Sequence, residues 1–288
     1  MTVTIFTATY NRAYILPKLY ISLCAQNCKD FEWLIVDDGS QDETSNLAEK
    51  WVQEAPFEVR YIQQKNGGKH RAINRGVSEA RGELFFIVDS DDQLPQDSIG
   101  TIISEYSPVK QETNLCGVCG LKAYFDGKPV GGENDFGTLI CDCQEVRYKY
   151  GVKGDLSEVF KTEVLREFPF PEIEGEKFCS ESVVWQRVAG KYKFKYFSKI
   201  TYLCDYLPDG LSAKATLLRM MNPIGATLCY SEQTRTNIPF IWKMKGAINY
   251  WRFYFCKSPI KKVKIGKLWA IMLPIGYLLH CLDELRRK

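Results

Sequence analysis

Short runs of apolar, β-branched residues alternate with helical patterns along the first hundred residues of this chain. The clearest runs are 3–8, 31–36 and 84–88, and polar residues follow each of them. Strand–helix–strand repetition of this kind predicts right-handed crossovers and a mostly parallel sheet with helices on both faces. A chain of 288 residues is long enough to bury the core of such a sheet. The pattern therefore predicts an α/β fold and excludes disordered, collagen-like and repeat architectures.

Three polar clusters come directly after these predicted strands. They are Thr9-Tyr10-Asn11-Arg12, Asp37-Asp38 and Asp89-Ser90-Asp91-Asp92. The carboxyl ends of parallel strands share one edge of a sheet, and ligands of such folds bind at that edge. A single acidic loop is more often a solvated turn or a helix cap, but three clusters at the same topological position favour a binding site.

The motif content restricts the chemistry of this predicted site. No G-x-G-x-x-G follows the first strand and no G-x-x-x-x-G-K-[ST] occurs, which argues against a dinucleotide-dependent dehydrogenase and a P-loop NTPase. Asp89 and Asp91 offer the oxygen ligands that Mg²⁺ and Mn²⁺ prefer, and these ions are usually held by one or two carboxylates plus substrate phosphates. Arg12 and Lys69 are expected at the same edge of the sheet, so this edge suits a diphosphate bound to a metal ion.

The order and spacing of these segments resemble those of the family 2 glycosyltransferases. The runs 6–12, 33–42, 66–76 and 81–92 carry the resemblance, which extends over roughly residues 2–212. The resemblance implies a GT-A fold, a Rossmann-like and mostly parallel sheet flanked by helices. It also implies a nucleotide-sugar donor, commonly UDP-linked, and inversion at the anomeric carbon.

The resemblance further implies the site residues. Those expected to bind the nucleotide-sugar are Thr9, Tyr10, Arg12, Asp37, Asp38, Lys69, Asp89 and Ser90. Tyr10 is expected near the base, and one of the two acids Asp37 and Asp38, with Asp38 slightly favoured, on the uracil N–H. In the D-x-D signature, Asp91 is the expected ligand of Mn²⁺ or Mg²⁺, and Asp89 contacts the ribose or the metal.

A general base is implied further along the chain. Family members carry an acidic residue four positions before a Trp on a helix, and Glu181 and Trp185 match that spacing. Many members have Glu-Asp where this chain has Ser180-Glu181, so the carboxylate is kept but reaches one methylene further. The alternative is an ordinary helix-surface Glu beside a core Trp. The runs 168–178 and 205–212 resemble members that assemble bacterial surface polysaccharides.

Charge is distributed unevenly along the chain. Residues 238–288 carry eleven Lys and Arg against two acids, a net charge of +9, although the whole chain is only +3. Aromatic residues interleave with these lysines, and the apolar run 268–282 follows. Its 15 residues are fewer than the roughly 20 that a spanning helix needs.

The composition of residues 238–288 predicts binding to an anionic membrane surface. No nucleic-acid-binding motif accompanies it. A solvated, dimer-forming or core-capping helical appendage is the alternative.

The eleven cysteines bear on compartment and on metal binding. No secretory signal opens the chain and the cysteine number is odd, which indicates reduced thiols in a cytoplasmic protein. With the basic tail, the expected location is peripheral, on the inner face of the cell membrane. Cys116-x-x-Cys119 and Cys141-x-Cys143 could form a zinc site, but their irregular spacing favours buried core cysteines.

Together these patterns predict a glycosyltransferase domain over 1–215, with a nucleotide-sugar half 1–110 and an acceptor half 111–215, and a helical basic tail over 216–288. The activity that the resemblance implies is metal-dependent, inverting, hexosyl-type transfer from a nucleotide-sugar, most often a UDP-sugar, to a hydroxyl of a lipid-linked glycan in surface or capsular polysaccharide synthesis. A nucleotide-sugar nucleotidyltransferase is an alternative, although it should show a Gly-rich loop after the first strand. A catalytically inactive, glycosyltransferase-like binding subunit is another, and a homodimer is possible.

Overall fold

The described residues form eight strands and eleven α-helices, and the first four strands lie where the apolar patterns predict them. The computed structural model describes residues 1–206, 210 and 213–287. The strands are β1 (Val3–Thr9), β2 (Phe31–Asp37), β3 (Glu58–Gln63), β4 (Leu84–Ile87), β5 (Leu115–Ala123), β6 (Thr138–Cys141), β7 (Leu156–Lys161) and β8 (Lys193–Leu203). The α-helices are α1 (Leu16–Cys24), α2 (Thr44–Glu54), α3 (Lys69–Glu79), α4 (Ser98–Tyr106), α5 (Glu145–Tyr148), α6 (Thr162–Glu167), α7 (Ser182–Ala189), α8 (Ala215–Met221), α9 (Pro223–Gln233), α10 (Phe240–Tyr254) and α11 (Leu273–Arg287). Short 3-10 helices cover Ser107–Val109 and Lys267–Met272.

The strands form one sheet in the order β3-β2-β1-β4-β7-β5-β8-β6. β1 is parallel to both of its neighbours, with Val3 opposite Phe31 on β2 and Leu84 on β4. β3 is parallel to β2 and β8 is parallel to β5, whereas β7 and β6 are antiparallel to their neighbours. The predicted α/β fold with its parallel first half is therefore confirmed.

The central strands of the parallel half, β1 and β2, are buried on both faces, whereas the edge strand β3 is partly exposed. β2 is buried along its whole length, and β1 is buried at every residue but one. On α1, Leu16, Leu19 and Leu23 are fully buried at helical spacing, and a proline near the helix start supplies a preset φ. Burial of such side chains contributes about 25 cal/mol per Å² of apolar surface, which makes this layer the main source of stability.

The described chain separates into two compact units. The first comprises Met1–Pro169 and Lys191–Asp205, and the second comprises Phe170–Gly190 and Tyr206–Lys288. The predicted division at residue 215 stays a prediction. Of the run 205–212, residues 207–209 and 211–212 lie outside the described residues, as does Lys288.

Within the second unit, two carboxylates join the segment 170–190 to the C-terminal helices. Glu176 is buried and accepts hydrogen bonds from the backbone N–H groups of Ile224 and Gly225, at 2.7 Å each, in the first turn of α9. Glu232 on α9 pairs with Arg187 on α7 at 2.7 Å. A carboxylate at the start of a helix satisfies N–H groups that have no partner inside the helix.

All eleven cysteines are free thiols, and Cys116, Cys119 and Cys141 are buried. Burial raises the pKa of the Cys119 thiol well above its usual value. Across the described ranges, no group of three or more His, Cys, Asp or Glu side chains is arranged to hold a metal ion. The burial of Cys116, Cys119 and Cys141 agrees with the favoured interpretation that they pack in the core.

Candidate active site

Backbone hydrogen bonds bring the ends of β1, β2 and β4 to one edge of the sheet. The N–H of Asp38 donates to the carbonyl of Thr9, and the N–H of Val88 donates to the carbonyl of Phe6, both at 2.8 Å. The three polar clusters predicted from the sequence therefore meet, all within the first compact unit.

The loop after β1 is fixed by one left-handed residue. Asn11 has a φ of 52°, a conformation that Asn tolerates better than most residues. Its N–H donates to the Ser40 hydroxyl at 2.8 Å, and its side-chain oxygen accepts the N–H of Gln41 at 2.8 Å. This reciprocal pair leaves Tyr10 48% exposed at the edge. The Thr9 hydroxyl is buried beside it without a hydrogen-bond partner in the described structure.

The carboxylate of Asp37 is fully buried and is used to hold the edge together. It accepts the N–H of Ser40 at 2.8 Å and the hydroxyl of Tyr61 at 2.7 Å. Burial, followed by the hydrogen bond to Asp37, raises the pKa of Tyr61 well above its usual range. Tyr61 therefore stays a neutral donor, and Asp37 fixes the β2 loop on β3.

Asp38 is surrounded by donors from the loop before α3. Its two carboxylate oxygens accept hydrogen bonds from the Gln64 amide (2.8 Å), the Asn66 amide (3.1 Å) and the backbone N–H groups of Gly67 (2.9 Å) and Gly68 (2.7 Å). A carboxylate offers about four acceptor positions, so these donors fill them. Asp38 thereby builds the turn that starts α3 and presents Lys69. The expected contact of Asp37 or Asp38 with uracil stays a prediction.

Two ion pairs join the D-x-D segment to cations at this edge of the sheet. The Lys69 ammonium lies 2.6 Å from Asp89 Oδ1, and Arg12 Nη1 lies 3.8 Å from Asp91 Oδ2. Burial alone would raise the pKa of Asp89, but the ammonium groups of Lys69 and Lys122 outweigh it and hold that pKa below its usual value. Burial, and then the charge of Asp89, raises the pKa of Asp91. Ser90 is buried between them.

Two residues that the sequence analysis missed complete this cluster. The Tyr202 hydroxyl donates to Asp92 Oδ2 at 2.6 Å and accepts the backbone N–H of Asp89 at 2.9 Å. The Lys122 ammonium lies 3.9 Å from the centre of the Tyr202 ring. Burial and the charge of Asp89 raise the pKa of Asp92 to about 7. Lys122 is the only charged residue of the otherwise apolar β5, which was a usable signal, whereas nothing in the sequence marked Tyr202.

No three side chains of the described residues form a ready-made metal site, so a divalent cation at this edge would rely on one or two aspartates together with substrate phosphates. Burial, and then the charge of Asp89, raises the pKa values of Asp91 and Asp92, and a bound cation would favour the charged form of both carboxylates. Asp91 and Asp89 are the residues that would hold Mn²⁺ or Mg²⁺. Substrate phosphates would supply further oxygens, as is usual for these ions.

Glu181 belongs to the second compact unit, at the start of α7. Its carbonyl accepts the N–H groups of Val184 at 3.0 Å and Trp185 at 3.1 Å, and its side chain is half-buried. Trp185 lies with its ring centre 6.1 Å from that of Phe170. The expected helix is thus observed, and the expected function of Glu181 as a base stays a prediction.

Sequence comparison matches parts of this chain, between 108 and 202 residues long, to known proteins. Residues 4–111 match the family described as glycosyl transferase family 2. An uncharacterized glycosyltransferase of Nostoc is 30% identical over 118 residues, which are 41% of this chain and 35% of that protein. A GalNAc(5)-diNAcBac-PP-undecaprenol beta-1,3-glucosyltransferase of Campylobacter jejuni is 26% identical over 202 residues, 67% of this chain and 60% of that protein. An undecaprenyl-phosphate 4-deoxy-4-formamido-L-arabinose transferase of Pseudomonas fluorescens is 34% identical over 108 residues, 36% of this chain and 32% of that protein.

Similarity of fold extends much further along the chain. The structure of Staphylococcus aureus TarS 1-349 in complex with UDP-GlcNAc matches 97% of this chain and 81% of its own, with a TM-score of 0.65 at 18% identity. A Pyrobaculum calidifontis mannosyltransferase in complex with GDP-Man and Mn²⁺ matches 98% of this chain and 75% of its own, with a TM-score of 0.55 at 17% identity. At such identity the likeness concerns the fold alone, and the expected GT-A architecture is confirmed. Glycosyl transferase family 2 is thus what residues 4–111 resemble in sequence, and the GT-A fold is what the chain shares with the matched structures.

Proposed function

We propose that this protein transfers a sugar from a UDP-sugar to a hydroxyl of a lipid-linked glycan, with inversion at the anomeric carbon. The observation that carries the proposal is the charged edge of the sheet, where three aspartates lie among the cations Arg12 and Lys69. Two of the matched relatives are named for undecaprenyl-linked substrates, and one matched structure holds UDP-GlcNAc. These names support the choice of donor and acceptor class, with surface polysaccharide synthesis as the setting.

The donor diphosphate is proposed to lie among Arg12, Lys69 and Lys122. All three are cations at or beside the D-x-D segment, and such groups stabilise charge that develops on a leaving diphosphate. A divalent cation held by Asp91 and Asp89 would, when bound, neutralise more of that charge. Thr9 offers a buried hydroxyl that lacks a partner, and Tyr10 an exposed ring, for the nucleoside.

The acceptor side is proposed to depend on Glu181. Its carboxylate takes the proton of the acceptor hydroxyl as that oxygen attacks the anomeric carbon. The new bond forms as the bond from that carbon to the diphosphate oxygen breaks, and UDP leaves with the bonding electrons. Attack on the face opposite the leaving group inverts the configuration.

The test is a donor screen that measures nucleotide release, with membrane extract as the source of acceptor and Mn²⁺ or Mg²⁺ added. Glu181→Gln should lower turnover at least about a hundredfold while UDP binding is kept, since only the base is removed. Glu174→Gln is the matched control, because Glu174 is an exposed carboxylate of the same segment, and it should leave turnover unchanged.

The binding half of the proposal needs its own variant. Asp91→Asn should weaken UDP binding in the presence of Mn²⁺, and Asp97→Asn, an exposed Asp just beyond the same loop, should not. Near-normal turnover of Glu181→Gln would remove the base assignment. UDP binding without release from any donor would instead favour the catalytically inactive binding subunit.

A further inference from the structure

We propose that the C-terminal helix lies in the plane of an anionic bilayer and inserts one apolar face into it without crossing. The proposal concerns the second compact unit and does not depend on the transferase chemistry. It makes the predicted membrane-binding tail specific, since it names the inserted face and the face that stays on the protein.

The helix is continuous over Lys267–Arg287, 21 residues from the 3-10 turn through α11, and by length and composition alone it could cross a membrane. It is longer than the apolar run 268–282, so length does not decide between crossing a bilayer and lying on it. The distribution of exposed and buried residues around the helix does decide it.

One side of this helix is apolar and exposed along its whole length. Leu268 and Ile271 are 72% and 71% exposed, and Leu285 at the far end is 67% exposed. The remaining exposed residues between them are Ala270, Pro274, Ile275, Tyr277, Leu278 and Leu282. Leu268, Ile271, Ile275, Leu278, Leu282 and Leu285 recur at intervals of three and four, which places them on one side of a helix. We call the nine residues the apolar face.

The opposite side of the helix is held on α10. The indole N–H of Trp251 donates to the carbonyl of Trp269 at 2.8 Å, and Arg252 pairs with the buried carboxylate of Asp283 at 2.7 Å. Between them, Gly276 approaches α10 so closely that a side chain there would collide with Trp251. These contacts, seven residues apart along the helix, leave only the apolar face available.

A crossing orientation is disfavoured by the partner helix. α10 has 15 residues and carries Lys243, Lys245 and Arg252. If α11 crossed the bilayer while packed on α10, those charges would enter the hydrocarbon, at a cost of about 3 kcal/mol per cation near its centre on insertion scales. Lying in the interface, the pair keeps its charges in water and buries only the apolar face.

Charge complementarity selects an anionic lipid as the occupant. The exposed lysines Lys257, Lys261, Lys264 and Lys267 precede the helix, and Arg286 and Arg287 follow its last apolar residue. No charged residue lies between Lys267 and Asp283. Basic residues at both ends and an uncharged surface between them fit lipid phosphates around buried acyl contacts.

A second copy of this chain fits the same surface less well. Helix pairs in water commonly flank their apolar seam with charged residues that set the partner and the register. In this helix, uncharged residues stand beside the apolar seam where such charged residues would be expected. They are Ala270, Pro274 and Tyr277. Phe240 at the start of α10 extends the surface, because it is 62% exposed and stacks on Trp269 with ring centres 5.6 Å apart.

The first experiment is vesicle flotation of the full chain on phosphatidylcholine with and without roughly one third phosphatidylglycerol. We expect binding to the anionic vesicles. The triple variant Ile271→Asn, Ile275→Asn, Leu278→Asn should lose about a hundredfold in partitioning, since it removes buried apolar area. The double variant Leu217→Asn, Met221→Asn is its control, because both side chains are exposed on α8, and it should bind normally. Circular dichroism melts check that every variant is folded.

The electrostatic part has a separate pair of variants. Lys261→Gln with Lys264→Gln should lower binding to anionic vesicles about thirtyfold, from roughly fivefold per basic residue near the surface. Lys50→Gln with Lys128→Gln, two exposed lysines of the first unit, should not change it. Equal loss in both pairs would mean a non-specific charge effect and would overturn the assignment of the tail.

Orientation is tested with a protease-cleavable tag after Lys288. In vesicles to which the folded protein is added from outside, an in-plane helix leaves the tag open to external protease, and a crossing helix protects it. Protection overturns the proposal. A dimer in solution that the triple variant converts to a monomer, with vesicle binding absent, also overturns it and assigns the apolar face to a second copy. Because UDP binding by the first unit is measured separately, failure here leaves the proposed transferase function standing.

Discussion

Two acidic pairs, Asp37-Asp38 and Asp91-Asp92, stand in equivalent places in this fold and have opposite environments. Both follow the carboxyl end of a buried parallel strand, and both lie at the same edge of the sheet. The first pair accepts six hydrogen bonds from backbone and side-chain donors of neighbouring loops. Of the second pair, Asp92 accepts one from Tyr202, and the guanidinium of Arg12 lies 3.8 Å from the Asp91 carboxylate.

The difference shows how one residue type gives either structure or reactivity. A buried carboxylate surrounded by donors is stable as an ion and orders the loops that supply those donors. A carboxylate that is buried beside other carboxylates holds its proton more strongly, and a cation relieves it. The pair at 37 and 38 therefore builds the edge, whereas Asp91 of the second pair is one of the residues proposed to hold a cation. Each prediction below tests one side of this comparison.

The largest expected effect is on Asp38. Asp38→Ala leaves four donors of the 64–68 loop without their acceptor, and we expect it to lower the free energy of unfolding by about 3 kcal/mol. Urea denaturation measures this, with Asp97→Ala as the control, because Asp97 is exposed and makes no capping hydrogen bond. If Asp38→Ala lowers the free energy of unfolding no more than Asp97→Ala does, the four donors hydrogen-bond to water when Asp38 is removed.

A smaller effect, a gain rather than a loss in the free energy of unfolding, is expected when Asp92 is replaced by Asn. Its pKa is about 7 in the folded chain and about 3.9 when unfolded, so between these values the folded state binds more protons. Ionisation of Asp92 therefore lowers the free energy of unfolding as the pH rises from 4 to 7, and the loss is constant above pH 7. Asp92→Asn removes this cost, and its gain in unfolding free energy should be about 2 kcal/mol larger at pH 8 than at pH 5.

The measurement for Asp92→Asn is chemical denaturation at several pH values in the presence of a chelator. Asp38→Asn provides the comparison at the other pair, since Asp38 is surrounded by donors and should lose stability at every pH. Parallel pH profiles for Asp92→Asn and the unmodified chain would contradict the proposed environment of Asp92.

The smallest expected effect concerns metal binding. A divalent cation held by Asp91 and Asp89 competes with the proton of Asp91 and disfavours the proton of the neighbouring Asp92, so Mn²⁺ should stabilise the fold more at pH 8 than at pH 6, by about 1 kcal/mol near ten times its dissociation constant. Thermal unfolding with Mn²⁺ and then with excess chelator measures it. Asp91→Asn should abolish the shift and Asp97→Asn should keep it; an equal shift in both would assign the ion elsewhere.

Much of this architecture was predictable from local patterns. The first four strands, the edge at which they end and the position of the D-x-D segment follow from apolar periodicity and chain order, which are local properties. Lys122 and Tyr202 were not found, because β5 and β8 reach Asp89 and Asp92 only through the order of strands in the sheet. The backbone hydrogen bonds between Gln93 and Leu203, at 3.0 and 2.9 Å, hold Tyr202 beside that segment.

The sequence by itself determined that acidic residues would collect at one edge of a parallel sheet, since alternation of strands and helices dictates where the strands end. Only the tertiary structure decided that Asp38 would be satisfied and Asp92 would not. The donors to Asp38 come from residues 64–68, and the single donor to Asp92 comes from a strand more than a hundred positions later. A carboxylate's charge state depends on what the fold packs around it, and that neighbourhood is set by non-local pairing.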